Sequence, residues 1–188
     1  MTPTYPYAAP REPQAPVTRK VSAVWVICLL LAYTAAAQFA AGSRLEQLVI
    51  DNAEYNQFSS QEILLTFMRV GVLLWSVLAS FLQALALRLI YKGIVRGQVP
   101  TLRTSWFWVL LGQIPFMLTV LVIGMLLQPS ALLVLGEAWL RILFGALAAA
   151  LYVAIARKAF GARTSRLIVL FVIFTIINSI LLVAGSSS

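Results

Sequence analysis

The chain has 188 residues, 61% of them hydrophobic and 11% charged, and a formal net charge of +8. Composition this apolar excludes an ordinary soluble domain. Cys28 is the sole cysteine and histidine is absent, which removes a disulfide framework, Cys- or His-based metal sites and any triad that needs imidazole, so no cofactor is expected.

Residues 1–18 carry prolines at 3, 6, 10, 13 and 16, interleaved with Tyr5 and Tyr7. Proline at that density prevents helix, so a disordered cytoplasmic tail of polyproline character is expected, either a ligand for an aromatic groove or only a solvated end. Five apolar runs follow, at 21–41, 70–90, 106–127, 131–156 and 167–184. A helix needs about 20 residues to cross a bilayer core, so each run approaches spanning length. Residues 19–188 therefore form the expected domain: all-α, polytopic, with five transmembrane helices.

Charge fixes the expected threading. Arg11, Arg19 and Lys20 precede the first run, Arg88, Lys92, Arg96 and Arg103 lie between the second and third, and Arg157, Lys158, Arg163 and Arg166 lie between the fourth and fifth. The other two gaps hold Glu46, Asp51, Glu54, Glu62 and Glu137 against Arg44, Arg69 and Arg141. Basic residues stay on the cytoplasmic side, so the N-terminus is expected inside and the C-terminus outside. The positive charge is divided among short juxtamembrane segments, which fits anionic lipid headgroups and excludes a nucleic-acid face.

Arg19-Lys20 before an apolar stretch and Ala35-Ala36-Ala37 imitate a cleavable signal peptide. The length of the run favours a retained helix. An external loop follows at 42–61. Within it Ser43-x-x-Glu46 and Ser59-x-x-Glu62 fit the capping box, and Leu45, Leu48, Val49 and Asn52 are spaced as a short amphipathic surface helix.

In the second run Ser76, Ser80 and Ala84 form a small-residue stripe, matched in the fourth by Gly145 and Ala149. Such spacing lets membrane helices approach closely, against a neighbour in the bundle or against another protein. The third run contains Gly112-Gln113-Ile114-Pro115, a candidate hinge in which proline frees a carbonyl that Gln113 would repair. Glu62, Arg69, Glu137 and Arg141 share one depth at the outer ends of the second and fourth helices. They form a candidate charge cluster, either an ion or headgroup site or paired charges that reach the interface. Gln38, Gln83, Gln113 and Asn178 are expected to bridge helices. Arg103-Thr104-Ser105 with Val109-Leu110 recurs 60 residues later as Arg163-Thr164-Ser165 with Val169-Leu170. This suggests two parallel-related hairpins, each outward helix capped by Thr-Ser.

From about residue 70 onward, the basic loop with Gly93 and Gly97, the Gly112-x-x-Pro115 helix, the Trp139-bearing helix and the turn through Gly161 resemble the bacterial branch of the Yip1 family of five-span membrane proteins. The eukaryotic Asp-Leu-Tyr-Gly-Pro motif of that family is absent, which argues against a Rab-binding role. The resemblance implies a non-enzymatic accessory protein of a bacterial plasma membrane. Its partners would be lipids and other membrane proteins, including export machinery, or further copies of itself. A small transporter or channel subunit, with a site among the second, third and fourth helices, is the alternative. An enzyme is not expected, because no acid lies in the central part of any run.

Overall fold

The computed structural model describes residues 21–51, 60–95, 99–126, 129–160 and 164–184. Among them every regular element is helical: α1 (Ala23–Asp51), α2 (Gln61–Val95), α3 (Leu102–Gly112), α4 (Ile114–Leu126), a 3-10 helix (Pro129–Gly136), α5 (Ala138–Phe160) and α6 (Thr164–Ala184). The helices α1, α2 and α5 and the α3–α4 pair are long and apolar enough to cross a bilayer, and α6 is a shorter apolar helix. An open chain in lipid must satisfy its backbone internally, and helices do so. These elements are those of a helical membrane protein.

The helix boundaries correct several expectations. The first helix does not stop near residue 41 but continues unbroken to Asp51, so Leu45, Leu48 and Val49 belong to α1 and not to a separate surface helix. Ser43 and Glu46 therefore lie inside a helix and not at the start of one. The start of α2 is fixed by Ser60, whose hydroxyl accepts from the Ile63 backbone N–H at 3.3 Å, with Glu62 in the first turn opposing the helix dipole. For α3 the cap is Thr101, not Thr104 and Ser105: its hydroxyl accepts from the Thr104 N–H at 3.2 Å. The run at 131–156 also divides. Residues up to Gly136 form the 3-10 helix, and the Glu137 N–H closes it on the Val134 carbonyl at 3.0 Å before α5 begins. The tail at 1–18, Asn52, Ser59 and Arg163 lie outside the described residues.

The chain threads back and forth. One end of the bundle gathers the end of α1, the start of α2 and the 3-10 helix, and toward the other Ile94 of α2, Leu102 of α3, Ala156 of α5 and Leu167 of α6 belong to one cluster. Packing is most extensive between α5 and α6, while α2 lies against α1, α3 and α6. The largest core cluster joins Leu87 and Tyr91 of α2, Val109 of α3, Tyr152 of α5 and Leu170 and Phe174 of α6. A second, around Val120 and Leu132, is covered by Ala36 and Ala40 of α1. Against lipid, which is as apolar as leucine, these contacts stabilise by close fit and dispersion. Most other large side chains face outward, as Val24, Leu31, Leu74 and Ile180 do.

Candidate functional site

Of the four ionisable residues expected to form one cluster, Arg69 goes elsewhere. Its guanidinium pairs with Glu46 of α1 at 3.2 Å, with the two side chains 51% and 56% exposed. Its backbone carbonyl accepts from Gln38 Nε2 at 2.6 Å. One residue of α2 is thus clasped twice by α1, and Gln38 bridges helices as expected. Arg141 of α5 lies within electrostatic reach of Arg44, also on α1. That cation is a like charge and not a partner, whereas Arg69 finds its partner on α1 because α2 packs more extensively against α1 than against α3 or α6. Glu62 sits exposed in the first turn of α2, beside a shallow groove along Ile63, Thr66, Phe67 and Val70. Glu137 is exposed at the junction before α5.

The Gly112-Gln113-Pro115 segment does break the span, at Gln113, and the Gln113 backbone N–H reaches Leu111, whose carbonyl Pro115 leaves free. The Gln113 N–H turns toward the Leu110 and Leu111 carbonyls, closing α3 as a tightened last turn. Val109 thereby loses the donor it would have four residues on. Tyr152 of α5 supplies another: its hydroxyl donates to the Val109 carbonyl at 2.7 Å. The approach depends on Gly112, where a Cβ would stand 2.6 Å from the Tyr152 oxygen. Tyr152 is fully buried, and its ring meets Phe174 edge-on at 4.7 Å. Sequence reasoning missed Tyr152. The available signal was that it carries the only hydroxyl in α5.

Both small-residue stripes are internal. Ser76, Ser80 and Ala84 are buried, and Ser80 accepts a hydrogen bond from the Trp106 indole of α3 at 3.1 Å. Gly145 and Ala149 are buried as well, with Gly145 facing α6: the Asn178 amide donates to its carbonyl at 3.3 Å. The stripes thus serve two interfaces, α2 with α3 and α5 with α6. Several hydroxyls in the helices bond back to their own backbone, as Thr34 to Leu31, Ser76 to Val72 and Thr119 to Pro115.

The 60-residue repeat finds no equivalent environments. Ser105 and Val109 are fully buried, whereas Ser165 and Val169 are exposed. Thr104 lies two residues inside α3 and Thr164 opens α6. Among the described residues no three His, Cys, Asp or Glu side chains gather in a metal-binding group. The polar side chains brought together here offer hydrogen bonds and interfacial charge. No protein-family model, no curated protein and no solved structure matches this chain.

Proposed function

We propose that this chain is a non-enzymatic accessory protein of a bacterial plasma membrane, akin to the Yip1 family, with its N-terminus in the cytoplasm and its C-terminus outside. It binds another membrane protein through the outer end of its first hairpin. The observation that carries this reading is the overreach of α1 and α2. At about 1.5 Å per residue, their 29 and 35 residues measure about 43 and 52 Å, against a hydrocarbon core of about 30 Å. The excess bears Phe67 and Ile63, 79% and 72% exposed, beside Glu62 and the Glu46–Arg69 pair. Apolar side chains set among charges at the membrane surface favour a protein contact over a purely solvated face.

A photo-crosslinking residue at Phe67, activated in native membranes, is expected to capture one membrane protein in stoichiometric yield. Adducts to lipid alone would sink the reading. The threading has a separate test. With Cys28 replaced, Asn52→Cys should react with an impermeant maleimide in intact cells and Gln98→Cys should not, and the reverse pattern inverts the orientation. A transporter or channel subunit is the second reading. It is favoured by the buried polar side chains Gln83, Ser105 and Asn178 within the bundle. Solute flux in liposomes holding the protein alone would bring that reading to the front.

A further inference from the structure

Two cations on different helices converge at the end of the bundle that holds the 3-10 helix. Arg44 of α1 and Arg141 of α5 are both half-buried and lie within electrostatic reach of each other. Packing holds them there. Ala40, one turn before Arg44 on the same face of α1, packs against the Val120–Leu132–Leu135 cluster. Leu140 and Phe144, which flank Arg141 on α5, pack against that same cluster. Phe116 of α4 meets the Tyr33 ring of α1 at 6.4 Å and the Phe144 ring of α5 at 5.7 Å. The 3-10 helix touches both α1 and α5.

Like charges held close in partly desolvated surroundings cost stability, and an anion between them reverses the sign. The acid nearest Arg44 in sequence is Glu46, and it pairs with Arg69 of α2. A guanidinium carries five N–H donors in a rigid fork, so it can hold an anion beside any partner within the protein. Depth selects the anion. Arg141 and Arg157 both lie on α5, about 24 Å apart along its axis at about 1.5 Å per residue. Across a hydrocarbon core of about 30 Å, that puts Arg141 at one boundary and Arg157 at the other. Trp139, 61% exposed beside Arg141, is of the residue type enriched at that boundary.

The anion that a phospholipid bilayer presents at this depth is the headgroup phosphate, and arginine forks engage phosphate oxygens bidentately. Glu137 adds a third element. It stands one turn before Arg141, its carbonyl accepting the Arg141 N–H at 3.2 Å, and its side chain is exposed on the side away from Arg157. A carboxylate there disfavours a headgroup of net negative charge and suits an ammonium carried beyond the phosphate. We propose that Arg44 and Arg141 form a phospholipid headgroup site at the membrane boundary, with Glu137 receiving the ammonium of a zwitterionic aminophospholipid. The site uses neither Phe67 nor Ile63, so it stands or falls separately from the protein contact proposed on α2.

Native mass spectrometry of the full-length protein in neutral detergent tests it, with phosphatidylethanolamine, phosphatidylglycerol and inorganic phosphate titrated in turn. One phosphatidylethanolamine is expected to bind at a several-fold lower concentration than phosphatidylglycerol, and inorganic phosphate should not displace it. Displacement by inorganic phosphate would mark a free-anion site and overturn the lipid. Arg44→Gln and Arg141→Gln should each weaken the first lipid about tenfold, the loss of one charged contact. Arg157→Gln removes the same charge at the opposite boundary and should leave that lipid in place. Arg141→Lys keeps the charge but not the fork, and its affinity should fall between. Glu137→Gln should erase the preference for the ethanolamine headgroup while the phosphate still binds. Unchanged affinity in both glutamine variants of the pair, or an equal loss in Arg157→Gln, overturns the site. A preference that survives Glu137→Gln overturns the ammonium assignment.

Discussion

The α3–α5–α6 core and the α1–α2 clasp hold helices together by opposite means. In the core, absent side chains do the work: Gly112 admits the Tyr152 ring, and Gly145 admits Asn178, whose Cβ would lie 3.3 Å from an added methyl. The hydrogen bonds there run to backbone carbonyls in buried surroundings. In the clasp, long side chains reach across: Gln38 to the Arg69 carbonyl and Arg69 to Glu46, all in exposed surroundings. A bond in a dry interface is costly to lose because its partner stays unpaired, whereas water replaces one at the surface. The two regions should therefore differ in their tolerance to substitution more than in their number of contacts.

The sharpest way to break that contrast is Gly112→Val. The new side chain meets Tyr152 oxygen and ring atoms between 2.6 and 2.8 Å away, and that ring is pinned by Val109 and Phe174. A loss of about 3 kcal/mol in detergent unfolding is expected. Tyr152→Phe keeps the ring and removes only the donor, leaving the Val109 carbonyl unpaired. Its expected cost is about 1 kcal/mol by the same measurement. Glu46→Gln in the clasp should change stability by less than about 0.5 kcal/mol and only at low ionic strength, because both partners are exposed. Gly124→Ala is the smallest. Its methyl would overlap the edge of the Phe39 ring, but Phe39 is 51% exposed, so the ring can turn aside at little cost. A midpoint within error of the parent is expected, and a loss comparable to that of Gly112→Val would end the distinction between the regions.

What was legible in the sequence divides along the same line. The spans follow from apolar length alone, because lipid imposes it, and the burial of Ser76, Ser80, Ala84, Gly145 and Ala149 follows from their spacing. Partner choice was not legible. The stripes on α2 and α5 look complementary in sequence, yet Ser80 meets Trp106 and Gly145 meets Asn178. Which helices neighbour one another is set by the whole arrangement, and no local pattern encodes it. The overlong α1 was hidden for a different reason. Ser43, Arg44 and Glu46 mark a loop by polarity, but nothing in that stretch breaks a helix, and α1 continues through it. The donor to the Val109 carbonyl was hidden because it lies 43 residues away.

That long separation bears on how the chain is put together during synthesis. The Gln38–Arg69, Ser80–Trp106 and Gly145–Asn178 contacts close over 31, 26 and 33 residues, each within adjacent spans. Those can form pairwise as helices leave the insertion machinery, in keeping with stepwise association of independently inserted helices. The Tyr152–Val109 bond also joins adjacent spans, the third and the fourth, but it closes over 43 residues and past the 3-10 helix. It cannot form until α5 has turned back beside α3. An arrested nascent chain ending near residue 150 would hold three inserted spans with the Val109 carbonyl still lacking its donor, and the arrival of Tyr152 would be the step that locks the early helices to the late ones.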